Sequence, residues 1–161
     1  MRRTRAMWPT EWPAPARKIA TAIEAALLAA QAADEPGFTS AIGDLAELPS
    51  DQVDVVLAAI VRELLEIAHP DGLTGDHVRD VLEAVVRRSV VWLPRLDAAA
   101  VVSALTGALG IDEGEDRPPT DPRPAAILLI DYLATTARVP AQQSVLRAIN
   151  EVARAETVEM P

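Results

Sequence analysis

The chain has 161 residues, half of them hydrophobic but only 3% aromatic, with a formal charge of −9 and no cysteine. That length suits a single domain with its own core, and the composition requires that core to be built from Ala, Val, Leu and Ile. The missing cysteine excludes disulfides, thiolate catalysis and cysteine-ligated zinc or iron–sulfur clusters. The acidity argues against nucleic-acid binding by the body of the protein.

The charge is unevenly spread. Residues 1–18 carry Arg2, Arg3, Arg5, Arg17 and Lys18 against Glu11, a local +4, so the remainder sums to −13. The first 14 residues read as an extended basic arm, because Pro9 and Pro13 follow Trp8 and Trp12 where a secretory signal would be apolar. Arg2, Arg3, Arg5, Trp8 and Trp12 are candidate partner-binding residues. The Trp-Pro pairs suit docking as an extended peptide, and the alternatives are that both tryptophans fold back onto the protein's own core or that the arm is a disordered leader.

A helical core is expected over residues 15–109. Its first helix runs from about Pro15 to Asp34, with Ile19, Ile23, Leu27 and Ala30 on one stripe and alanine-rich flanks that permit close helix approach. Glu35-Pro36-Gly37 is read as its stop. A short helix follows from Phe38 to Leu45, and a third runs from about Ser50, a candidate N-cap, to Ala68. The fourth runs from about Thr74, another N-cap, to Leu93, where Pro94 ends it. The fifth is framed by Asp97 as N-cap and Gly110 as a left-handed C-cap.

Residues 110–124 form an acidic, proline-rich loop by composition. Residues 125–156 then read as a helical hairpin that packs on the core, hinged at Arg138-Val139-Pro140. No apolar run approaches the roughly 18–20 residues of a membrane span. The fold class is therefore all-α, a bundle of six or seven helices.

The third and fourth helices share a phrase at a spacing of 25 residues. Asp51/Asp76, Val53/Val78, Val56/Val81, Leu57/Leu82, Ala59/Ala84, Val61/Val86 and Arg62/Arg87 are identical. The similarity arises either from duplication or from two Val/Leu/Ala-rich helices matching at helical period. It predicts an antiparallel pair at the centre of the bundle. The third helix is apolar over more than half its circumference, which a single partner helix does not cover, so this pair is also the expected self-association surface.

Ligand-type side chains crowd in one place, the turn from His69 to His77, with Asp71 and Asp76 inside it and Asp80 beyond. Such a set could bind a divalent metal. The spacing fits no metal motif, and each residue has a local explanation: His69 ends a helix, Asp71-Gly72 turns the chain, and Asp76 lies in a first turn. Asp131 interrupts an apolar helix, either buried with a raised pKa or turned toward solvent. No phosphate loop and no nucleophile elbow is present.

These readings favour a non-catalytic, cofactor-free helical interaction module, an adaptor or self-associating scaffold that binds a protein partner or itself. A cytoplasmic, bacterial setting is expected from the missing cysteine and the preference for arginine over lysine. Two other classes remain: a regulator that touches nucleic acid through the basic arm, and a metal-dependent enzyme at the His69/His77 turn.

Overall fold

The computed structural model describes residues 8–111 and 121–159, with side chains described through residue 155. It is an all-helical bundle. Among the described residues there are seven helices and no strand: α1 Ala14–Gln31, α2 Glu35–Ala46, α3 Ser50–Ala68, α4 Gly75–Ser89, α5 Ala98–Ala108, α6 Arg123–Ala137 and α7 Ala141–Glu159. No helix among them is long and apolar enough to cross a membrane.

The centre of the bundle is α3 with α6. Helix α3 packs chiefly against α6, then α7 and α5, while α6 also meets α1 and α5. Composition explains the choice of α6. Its run Ala125–Ile130 is apolar all round, and Ile127, Leu129 and Ile130 are fully buried. Side chains of this size each contribute about 1.5–3 kcal/mol when removed from water.

The expected central pairing of the two similar helices does not occur. Helix α4 lies against α5 and α6 rather than along α3, and it buries only Val81, Val85 and Ser89. The reason lies in the residues that follow the shared letters. Leu64 and Leu65 extend the buried face of α3, whereas the positions matching them on α4 are Ser89 and Val90, and Val90 is exposed. Most of the broad apolar surface of α3 is thus covered within the chain, with Val55 and Ile67 left exposed. The C-terminal pair also differs from a closed hairpin, because α7 packs mainly on α3 and α1 and touches α6 little. Arg147 of α7 forms an ion pair with Glu63 of α3.

Capping accounts for two helix starts that the sequence misplaces; a third boundary, the end of α4, falls at Ser89 with Val90 as C-cap rather than at Leu93 before Pro94. Glu35-Pro36-Gly37 opens α2 instead of merely stopping α1. Asp34 is the N-cap, its carboxylate accepts from the Gly37 amide at 3.1 Å, and Pro36 sits in the first turn, where its missing N–H costs nothing. A Cβ at Gly37 would overlap the Asp34 carboxylate, which would have to shift from its capping position. Helix α1 ends through Ala33 at φ 53°, with the Asp34 amide donating to Ala29 O at 2.9 Å, and the chain reverses directly into α2.

At α3 the N-cap is Pro49, so Ser50 does not cap. Its Oγ accepts from Arg123 Nη2 at 2.8 Å, while Arg123 Nε donates to Asp54 at 3.1 Å. One arginine therefore fastens the start of α6 to the start of α3. Asp97 caps α5 through the Ala99 amide, and Gly110 ends its turn at φ 74°, both as the sequence indicates. Most of the acidic loop, residues 112–120, lies outside the described residues.

Candidate functional site

The basic arm is the first place where a partner was expected. Arg2, Arg3 and Arg5 lie outside the described residues. The tryptophans are described, and Trp12 is not a free recognition residue: it is 5% exposed and belongs to the core. Its indole Nε1 donates to Asn150 Oδ1 on α7 at 2.7 Å. Trp8 stacks on Trp12 with centroids 5.9 Å apart and packs against the same core. A buried indole needs a partner for its N–H, and Asn150, 138 residues away, supplies it. No sequence signal links the two.

The central turn brings His69 and His77 together but not as ligands. Their rings stack at 4.3 Å and 23°, so their faces meet and their nitrogen lone pairs do not converge on a common point. His77 Nδ1 accepts from the Thr74 amide at 3.1 Å, and Thr74 Oγ1 accepts from the His77 amide at 3.2 Å. This is a capping box in which an imidazole takes the place usually held by Glu or Gln. Asp76 pairs with Arg79 at 3.9 Å on the surface, and Asp71 is exposed. Among the described residues, no group of three or more His, Asp or Glu side chains could hold a metal ion. Partial burial first, and the charge of His77 second, hold His69 below the usual histidine value.

Asp131 is buried, the less expected of its two readings. It is 5% exposed, and Arg88 Nη2 reaches its Oδ2 at 3.3 Å from the end of α4. Burial pushes the carboxyl above its usual range, and the Arg88 charge and a hydrogen bond from Gln31 pull it back. Its Oδ1 has no hydrogen-bond partner. Three helices, α1, α4 and α6, thus meet on one carboxylate. Arg88 is about half exposed, so water screens its side of the pair. The arrangement fastens α4 at its C-terminal end, where Trp92 packs edge-on against Phe38 at 5.3 Å.

A surface groove lies outside the places where the sequence suggested a site. It holds about 1000 Å³ between α1 and α2. Ala22, Ala25, Leu28 and Ala29 line it from α1 and Leu48 from beyond α2, while Arg17, Lys18, Asp44 and Glu47 stand around it. Leu28 is 39% exposed. The inward stripe of α1 is Ile19, Ile23, Leu27 and Ala30, all buried. The outward stripe Thr21, Ala25, Leu28 and Ala32 is exposed and carries no charge. A solvent-facing helix side normally alternates with charged residues, so this uncharged outer stripe was the signal available in the sequence. On one wall, Glu24 is buried and accepts from Gln142 Nε2 at 3.1 Å, a contact that joins α7 to α1.

Compared with protein-family models, with curated proteins and with solved structures, the chain matches none of them.

Proposed function

We propose that the protein is a non-catalytic helical interaction module, an adaptor or self-associating scaffold, and that its docking surface is the α1/α2 groove. The observation that carries this reading is the combination at that groove of an uncharged, partly apolar stripe, a volume of about 1000 Å³ and an exposed leucine. A concave, uncharged helix face rimmed by charged residues suits an amphipathic helix laid into it. A helix about 10 Å across and 5.4 Å per turn fills about 400 Å³ per turn, so the groove accepts about two to three turns of a partner helix. The setting we propose is a bacterial cytoplasm, on the arginine-over-lysine usage and the cysteine-free composition.

Site-specific photocrosslinking tests this. With a photoreactive amino acid at Leu28, exposure of living cells to light gives an adduct heavier than the 17.2 kDa chain, whereas the same group at exposed Arg79 on α4 gives none. Absence of any adduct at Leu28 overturns the reading.

A further inference from the structure

We infer that the occupant of the α1/α2 groove is α1 of a second copy, the two helices running antiparallel about a twofold axis beside Ala25. This rests on the groove being a docking surface and adds the identity of its partner.

Three observations lead to a second copy. First, the outward stripe of α1 is both groove wall and candidate guest. In an antiparallel pair centred on Ala25, Leu28 of each copy comes opposite Ala22 of the other, and Thr21 opposite Ala29. Both alanines line the groove, so each leucine meets a small residue that leaves room for it. Small residues at such a crossing let helix backbones approach closely.

Second, α1 is charged the wrong way round for a helix on its own. Arg17 and Lys18 lie near its N-terminal end, the positive end of the helix dipole, and there is no acidic residue in the first turn and no basic one in the last. Asp34 stands just past its C-terminal end. In the antiparallel pair, Arg17 and Lys18 of each copy lie beside the C-terminal end of the other α1 and its Asp34. Local placements that cost stability are compensated there by the neighbour.

Third, neither Arg17 nor Lys18 has an ion-pair partner within the chain among the described residues, and neither do Asp44 and Glu47. A chain with net charge −9 repels a copy of itself over most of its surface. A twofold contact uses one patch twice and so requires both signs on that patch, which this groove supplies.

Sedimentation equilibrium of the purified chain over a range of concentrations tests the inference, together with two variants. The parent is expected to sediment with twice the 17.2 kDa chain mass. Ala25→Glu places two carboxylates together at the axis and returns the chain mass with an unchanged circular dichroism spectrum. Because the chain has no cysteine, Ala25→Cys carries a single thiol, and mild oxidation gives a covalent dimer, whereas Arg79→Cys does not. A parent that stays at 17.2 kDa at every concentration overturns the inference. A dimer that Ala25→Glu leaves intact, or that Ala25→Cys does not crosslink, overturns it equally by placing the contact on another face. If the purified chain is monomeric while the Leu28 photoadduct in cells has the mass of a different protein, the docking surface stands and only the second copy is wrong. If no adduct forms, both fail.

Discussion

Helices α3 and α4 carry the same phrase and have opposite fates. At the identical positions Val53, Leu57 and Val61 of α3 are at most 2% exposed, whereas Val78, Leu82 and Val86 of α4 are only half-buried. Arg62 of α3 reaches across to α5, its Nε donating to Ala108 O at 2.9 Å. The matching Arg87, exposed as Arg62 is, makes no such bond among the described residues. Identity of letters thus fixes that both segments are amphipathic helices but not how much of each is covered. Coverage depends on how many neighbours the rest of the chain provides. Helix α3 has three large ones and α4 rests on the edges of two.

The largest expected effect tests that difference directly. Leu57→Ala is expected to destabilise by about 3 kcal/mol, within the range for emptying a buried leucine site, and Leu82→Ala by about 1 kcal/mol, because its surroundings can relax and water can enter. Urea denaturation of the two variants decides, and equal losses would mean that α4 is buried in solution in a way that this arrangement does not provide.

Next in size is the fastening of α4. Asp131 holds its proton more tightly in the folded chain than in the unfolded one, so its ionisation lowers stability as pH rises above the usual carboxylate range. Arg88 offsets part of that cost. Arg88→Met should therefore cost about 1–2 kcal/mol at neutral pH, less than for a fully buried pair because Arg88 is half exposed. The loss shrinks as pH falls toward the carboxylate range and the carboxyl becomes neutral in both proteins. Stability curves at pH 7 and pH 5 check this, and a loss independent of pH would assign Arg88 a packing role only.

The N-terminal end of α4 yields a smaller effect. Thr74→Ala removes one half of the capping box and should cost about 1 kcal/mol, with faster amide exchange confined to the first turn of α4. The stacked histidines add a pH dependence of opposite sign. His69 is held below the usual histidine value, so its contribution is complete above that value and declines as pH falls from there through the lowered one. His69→Gln should flatten this decline in thermal melts between pH 7 and pH 5.

The smallest contrast is Arg62→Met against Arg87→Met. The first forfeits a hydrogen bond worth about 1 kcal/mol, and the second should fall within about 0.5 kcal/mol of the parent. A larger effect at Arg87 would reveal a contact of α4 with something outside the chain.

What the sequence discloses here is local, and what it withholds is tertiary. Thr74, Asp97 and Gly110 mark helix ends because capping uses residues within four positions of each other. Glu35-Pro36-Gly37 is ambiguous on the same scale, since one proline both stops a helix and suits the first turn of the next, and Asp34 decides between them through its bond to Gly37. Asp131 shows the other limit. Its helix reads as amphipathic with one acid on the wet side, yet the partners that permit its burial, Gln31 and Arg88, come from helices far away in sequence. The candidate site was half visible: the uncharged outer stripe of α1 can be read from the letters, but the second wall becomes a wall only once α2 folds back beside it.

The indole–amide contact between Trp12 and Asn150 also sets a timetable. During synthesis at about 5–20 residues per second, Trp12 leaves the ribosome long before Asn150 exists, and the interval is on the order of 10 seconds. Through that time the large apolar ring near the start of the chain lacks the polar partner that its final place requires, while α1 and α2 already form a local hairpin. The nascent chain is therefore expected to hold a native-like front end with an unsealed seam, and to lock in a single late step when α7 arrives.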